Sequence, residues 1–296
     1  MEPEVRYCTA ADGVRIAYTV SGEGPPLLMA VDPLSSHVQL EWSHPTSGAV
    51  QREYARRNTL IRYDPRGSGL SDRIISTSIE ESLMDIDAVV ERAGFDQFAL
   101  NSVLSATLPM IVYAARNPER ITRFLIVDGI LKMRDLLGTS QAQALIAAAK
   151  TDWFLATETI GYIAFGAGRD VNANHGAYIR ACIGPESLDL TEWVLQTDVT
   201  EYARQVKAPT LVMKHTGIAI VTMEATKDLV ATIPNAKLLM LEGTFVDNIE
   251  ETAARALSFI NDEAEAPASS PRASDLPSGT AIILFADIVD STALTE

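Results

Sequence analysis

Short apolar, strand-forming runs alternate with amphipathic stretches along this chain up to about Asn261, and no other feature limits the fold as much. Val14–Val20, Leu27–Val31, Thr59–Tyr63, Gln97–Leu100, Arg123–Val127, Thr210–Met213 and Lys237–Leu241 read as strands. Ile79–Ala93, Leu108–Arg116, Met223–Ile233 and Asp247–Ile260 carry apolar residues at helical spacing. Alternation of this kind builds a mostly parallel sheet wrapped by helices, so the predicted class is α/β. The later strands are nearly continuous apolar runs, the pattern of parallel strands buried on both faces.

Two stretches break the alternation. From Leu136 to Lys207 the chain holds apolar helical patches (Ala142–Ala149, Trp153–Phe165, Ala177–Ile183, Trp193–Leu195) and no clear strand, which predicts a helical cap inserted between two core strands; additional core helices are the plainer alternative. Residues 262–279, opening DEAEAPASSPRASDLPS, are rich in Ala, Ser and Pro and lack aromatic residues, the composition of a linker. Thr280–Ile288 then reads as a new apolar strand without partners, and a lone strand is not a domain. The predicted organisation is a domain over residues 1–261, a linker, and the truncated opening of a second domain over 280–296.

Composition removes several function classes. With 47% apolar and 21% charged residues among 296, the chain is not wholly disordered. No run of 18 apolar residues occurs, so no membrane span is expected, and the acidic start Met1-Glu2-Pro3-Glu4 is unlike a signal peptide. Two cysteines, Cys8 and Cys182, cannot build a disulfide framework or a four-cysteine zinc site, which points to a reducing cytoplasm. A net charge of −15 repels phosphate backbones, so nucleic acid is not an expected partner.

After Thr59–Tyr63 the chain reads Asp64-Pro65-Arg66-Gly67-Ser68-Gly69-Leu70-Ser71-Asp72. Further on come Phe98-Ala99-Leu100, Tyr113-Ala114-Ala115-Arg116-Asn117-Pro118-Glu119-Arg120-Ile121, Ala208-Pro209-Thr210-Leu211-Val212 and Ile233-Pro234-Asn235-Ala236. Together these strings resemble the α/β-hydrolase family over nearly all of residues 5–261. The resemblance implies a nucleophile on a sharp strand-to-helix elbow, Gly-x-Ser-x-Gly, an acid after a late strand, and a histidine after the last.

This chain departs from that pattern at every triad position. The elbow reads Ser102-Val103-Leu104-Ser105-Ala106, which puts Leu104 where the family has its serine. Counting back from Met223-Glu224-Ala225, the acid position falls on Ile218, and Gly243-Thr244-Phe245-Val246 puts Val246 in the histidine position. The oxyanion turn Val31-Asp32-Pro33-Leu34 lacks the usual glycine, and Pro33 has no N–H to donate. The expected consequence is an apolar pocket that holds a small molecule without cleaving it, with Leu104, Ser105, Ile218, Val246, Pro33 and Leu34 as its candidate residues and no cofactor of its own. The alternative is a working esterase- or lipase-like enzyme with a relocated serine, Ser102 or Ser105, served by His215 and Asp128. His37, His44 and His175 read as structural or surface histidines, and Glu41-Trp42 as loop packing.

The last segment, Leu284-Phe285-Ala286-Asp287-Ile288-Val289-Asp290-Ser291-Thr292-Ala293-Leu294-Thr295-Glu296, resembles the opening of a class III adenylate/guanylate cyclase domain; the plainer reading is an ordinary strand with an exposed Asp at its end. The resemblance implies Mg or Mn, bound through Asp287 and the carbonyl of Ile288, and ATP or GTP as substrate of a complete, homodimeric cyclase. On that reading residues 1–261 are a sensor that controls cyclic nucleotide synthesis, and these 296 residues alone make none.

Overall fold

In a computed structural model of the chain, described for residues 2–44, 47–165, 175–188, 192–244, 247 and 249–262, eight strands form one twisted sheet. They are β1 (Arg6–Thr9), β2 (Arg15–Ser21), β3 (Pro26–Ala30), β4 (Thr59–Tyr63), β5 (Phe98–Val103), β6 (Ile121–Val127), β7 (Thr210–His215) and β8 (Ala236–Leu241). Their spatial order is β1-β2-β4-β3-β5-β6-β7-β8. The β1–β2 and β2–β4 pairings are antiparallel, and every pairing from β4 through β3 to β8 is parallel.

Helices follow the strands as the alternation requires. Between β3 and β4 lie α1 (Leu40–Ser43) and α2 (Ser47–Ala55); α3 (Ile79–Ala93) precedes β5, and α4 (Thr107–Arg116) follows it. Between β6 and β7 come α5 (Met133–Leu137), α6 (Ser140–Thr151), α7 (Trp153–Phe165), α8 (His175–Cys182), α9 (Glu192–Gln196) and α10 (Thr200–Ala203). The chain then runs through α11 (Met223–Thr232) and α12 (Ile249–Ile260) on either side of β8. Among its described residues the expected insertion therefore holds helices and no strand, with a single bridge between Lys132 and Asp198 at its base.

The period of two along each strand divides the core. In β3 and the residue after it, Leu27, Met29 and Val31 face a cluster completed by Tyr54 of α2 and by Ala253, Leu257 and Ile260 of α12. Leu28 and Ala30 point the other way, into the larger cluster with Ile86 and Val90 of α3 and Ile111 of α4. Both faces of the sheet are thus covered, as parallel strands demand. Two expectations need correction. The strand β1 and the helices α1 and α2 were not anticipated, because they are short and carry weak periodicity. β8 is not buried on both faces: as the sheet's edge it leaves Leu238 and Met240 well exposed.

The Asp64–Asp72 string proves to be a clamp at the carboxyl edge of β4. The Asp64 carboxylate, fully buried, accepts from Ser36 Oγ (2.9 Å), the Val38 N–H (2.9 Å) and the Leu70 N–H (2.9 Å), tying the loop after β3 to the loop after β4. Gly69 sits at φ +50°, and a side chain there would place its Cβ 2.0 Å from Asp64 Oδ2. Arg66 reaches the other way: its Nη2 bonds Asp85 of α3 at 2.7 Å and its Nη1 bonds Asp12 at 2.6 Å. The Arg66–Asp85 pair is buried, with side chains 2% and 0% exposed. Asp85→Ala is expected to destabilise the fold by about 3–5 kcal/mol, because the guanidinium is left without its buried counter-charge. Urea unfolding measures this, and a loss below about 1 kcal/mol would mean that Arg66 finds an equivalent partner in water.

Candidate functional site

The site is built where β5 turns into α4. Val103 ends the strand in extended conformation, and Leu104 then adopts φ +53°, the left-handed region that side chains of its kind avoid. Such a residue carries about 1–3 kcal/mol of strain, and it persists because the strand and helix on either side dictate the turn. The sharp elbow is therefore kept while its tip carries an apolar side chain, half-buried and packed against the larger core cluster. Leucine supplies no nucleophilic atom.

In this fold the oxyanion donors are the N–H of the residue after the nucleophile and an N–H from the loop after β3. Here those positions are Ser105 and the turn Asp32–Leu34, and the carboxyl of Asp32 lies against both. Asp32 Oδ1 accepts from the Leu34 N–H at 3.0 Å, and Ser105 Oγ donates to Oδ2. A carboxyl of the chain's own thus stands where a substrate oxyanion would be held. Burial raises the Asp32 pKa above the ordinary carboxylate value, against the pull of these hydrogen bonds.

Above this corner lies a half-open cavity of about 340 Å³ between the sheet edge and the cap. Pro33, Leu34, Ser105 and Ala106 form part of its wall from below, and Leu136, Leu145 and Ile160 line it from the insertion. The polar residues in the wall are engaged elsewhere where their bonds are known: Arg66 binds Asp85 and Asp12, and Ser76 Oγ donates to the Ser78 carbonyl. The cavity therefore offers a mainly apolar surface with the Asp32–Ser105 pair in one corner.

Of the six residues expected to bind ligand, Pro33, Leu34 and Ser105 line this cavity. Leu104 and Ile218 do not; their places in the wall are taken by Ala106 and by Ile220. The reason is the left-handed turn, which sends the Leu104 side chain into the core, and the turn after β7, where Ile218 is buried and gives its carbonyl to Lys214. Val246, Asp287 and Ile288 lie outside the described residues.

The relocated acid and base are real neighbours. Asp128, the residue after β6, at φ +47°, bonds His215 Nδ1 through Oδ2 at 2.6 Å. Its other oxygen accepts from Lys214 Nζ (3.1 Å) and the His215 N–H (3.0 Å). All three side chains are buried, and none is in the cavity wall. Neither serine bonds this histidine: Ser102 Oγ pairs with Thr107 Oγ1 at 3.1 Å, and Ser105 pairs with Asp32. Lys214 also ties down the carbonyls of His215 and Ile218, so the cluster pins the β7 turn. The other histidines are engaged in packing. His44 Nε2 lies 3.3 Å from His175 Nδ1, and burial holds the His44 pKa down at about 4. Glu41, expected as loop packing, is buried and is the ion-pair partner of Arg62 on β4, whose guanidinium is buried as well.

Two of the residues that shape the site escaped the sequence. Asp32 reads in the sequence only as part of an irregular oxyanion turn, and an acid at the end of a strand leading into that turn is the available signal. Lys214 carried no signal, since one lysine at a strand end reads as a solvent-facing residue. Among the described residues no group of three or more His, Cys, Asp or Glu is placed to hold a metal ion, and no helix is long and apolar enough to cross a membrane.

Known proteins share this architecture. The esterase RhEst1 from Rhodococcus sp. ECU1013 superimposes with a TM-score of 0.76 at 21% identity, covering 89% of this chain and 100% of its own. Est816, described as an N-acyl homoserine lactone degrading enzyme, superimposes with a TM-score of 0.69 at 21% identity over 86% of this chain and 100% of its own. In sequence, pyrrolizixenacetamide deacetylase from Xenorhabdus hominickii is 24% identical over 244 residues, 80% of this chain and 90% of the relative. No protein-family model matches the chain. The chain has the α/β-hydrolase fold.

The buried Asp32 carboxyl makes a prediction about pH. Its folded-state pKa lies above the ordinary 3.8, so the folded protein binds this proton more tightly than the unfolded chain does. The stability this contributes is complete below the ordinary carboxylate range and is lost as pH rises through the folded-state value. Relative to Asp32→Asn, the wild-type protein is therefore expected to lose unfolding free energy between acid and neutral pH. Parallel denaturation curves for the two proteins test this, and a difference that is flat or grows in favour of the wild type with rising pH would contradict it.

Proposed function

We propose that residues 1–261 form a binding domain on the α/β-hydrolase fold, holding a small, mainly apolar molecule under the helical cap without cleaving it. The observation that carries this reading is the oxyanion corner. The elbow presents Leu104 instead of a nucleophile, and at the oxyanion corner the Leu34 N–H and the Ser105 hydroxyl are taken up by Asp32. An oxyanion developing in that corner would stand against the Asp32 carboxyl. The cavity above is of a size and character suited to a small ligand. The hydrolytic relatives support a cavity that admits ester- or amide-sized molecules.

One observation favours a second reading, hydrolysis by Ser105. Its hydroxyl stands in the cavity wall against a carboxyl whose pKa is raised by burial, a pairing of nucleophile and base, and the relatives named above are an esterase, a lactone-degrading enzyme and a deacetylase. The two readings separate in one assay. With activated aryl esters, the wild-type protein is expected to turn over no faster than Leu104→Ala or Ser105→Ala protein. Turnover that Ser105→Ala abolishes would establish the hydrolase instead. In parallel, a saturating apolar ligand is expected to stabilise the fold by about 2.7 kcal/mol at a hundredfold excess over its Kd.

The finer reading is regulatory. It rests on the resemblance of residues 284–296 to the opening of a class III cyclase and on the linker-like composition before them. On this proposal cap movement on ligand binding passes through residues 262–279 to a homodimeric cyclase acting on ATP or GTP, with Asp287 and Ile288 holding Mg or Mn. In a protein carrying a complete cyclase domain, Asp287→Ala is expected to abolish cyclic nucleotide synthesis while leaving ligand-induced stabilisation of residues 1–261 unchanged. Retained synthesis would remove the metal role.

A further inference from the structure

We infer that the cavity selects, among apolar molecules, those bearing a hydroxyl group, which donates its proton to the oxygens of Asp32 and Ser105. This deepens the binding reading above and rests on it. A hydrolase of this fold presents N–H donors at this corner and so recognises an acceptor, the carbonyl oxygen of its substrate. Here the polarity of the corner is inverted. The Leu34 N–H and the Ser105 hydroxyl both donate to one carboxyl. The Leu34 N–H and the hydroxyl proton that a carbonyl would use are therefore already satisfied from within the chain.

Lone pairs remain at this corner. A carboxylate carries about four acceptor positions and a serine hydroxyl two, more than the two donors fill. Asp32 and Ser105 both belong to the cavity wall, so a donor brought by the ligand can reach them. Arg66, the cationic residue in the wall, has its guanidinium bound to Asp85 and Asp12 and offers no competing attraction for a ligand carboxylate. An ester or ether placed in the corner would set its oxygen against oxygens and leave all of them without a proton. An alcohol supplies the missing proton. The remaining wall, with Leu136, Leu145 and Ile160, accommodates the hydrocarbon part.

Three probes of similar length test the inference on the full chain: decanol, its methyl ether, and methyl nonanoate, each titrated by calorimetry. Decanol is expected to bind at least about tenfold more tightly than either of the others, the worth of one hydrogen bond to a charged acceptor. Ser105→Ala is expected to narrow that ratio. Asp32→Ala is expected to reverse it in favour of the ester, because the Leu34 N–H and the Ser105 hydroxyl are released into the cavity. If that variant does not fold, the wild-type ratio and Ser105→Ala decide. Equal affinity of the wild-type protein for alcohol and ether overturns the inference while leaving apolar binding intact. Binding of none of the three overturns the cavity reading together with it.

Discussion

The site depends on one backbone constraint: a parallel strand at the centre of the sheet must turn at once into a helix that packs back on it. Between β5 and α4 lie three residues, Leu104–Ala106, and Leu104 makes the reversal at φ +53°. The cost of a left-handed leucine is borne by the surrounding structure, in which β5 is paired on both sides and α4 is buried along most of its length. Because the turn is dictated by these elements and not by its own side chain, the elbow outlives the chemistry usually mounted on it. The residue after the turn, Ser105, still stands at the oxyanion corner, where its hydroxyl meets Asp32.

The electrostatics of the carboxyl edge follow the same logic. Asp64, Asp85 and Asp128 are each fully buried, and each is held by several donors. Asp64 joins two loops, Asp85 anchors Arg66 to α3, and Asp128 fixes His215 and Lys214 at the end of β7. These acids act as cross-links in a region where loops would otherwise move independently. Asp32 differs in facing the cavity. It has the same kind of donors, but its position in the wall makes it available to a bound molecule as well.

Much of the fold was legible in the sequence because the central strands and long helices carry strong periodicity. Thr59–Tyr63 as a strand and Ile79–Ala93 as a helix match to the residue. The helical insertion was legible through the loss of strand patterning after Leu136. The short elements were not: β1 has four residues and α1 four, too few for either period to register. The status of β8 was misjudged because an apolar run looks the same on an edge as in the centre of a sheet. The site was legible in outline. Leu104 was correctly placed at the elbow from flanking strings, yet its side chain leaves the cavity because the backbone there is left-handed, and a sequence does not display the sign of φ.

By itself the sequence determined the class of fold and the absence of the usual reactive groups at Leu104 and Ile218, since periodicity and residue chemistry are local properties. It also marked Ser105 as the hydroxyl beside the elbow. Only the tertiary structure decided what that hydroxyl meets. Asp32 lies 73 positions away along the chain, and Asp128 lies 87 from His215. Hydrogen bonds over such separations are created by strand order: β3 and β6 flank β5, and β7 flanks β6. The pairing of Ser105 with an acid rather than with the histidine is thus a consequence of which strand ends lie side by side.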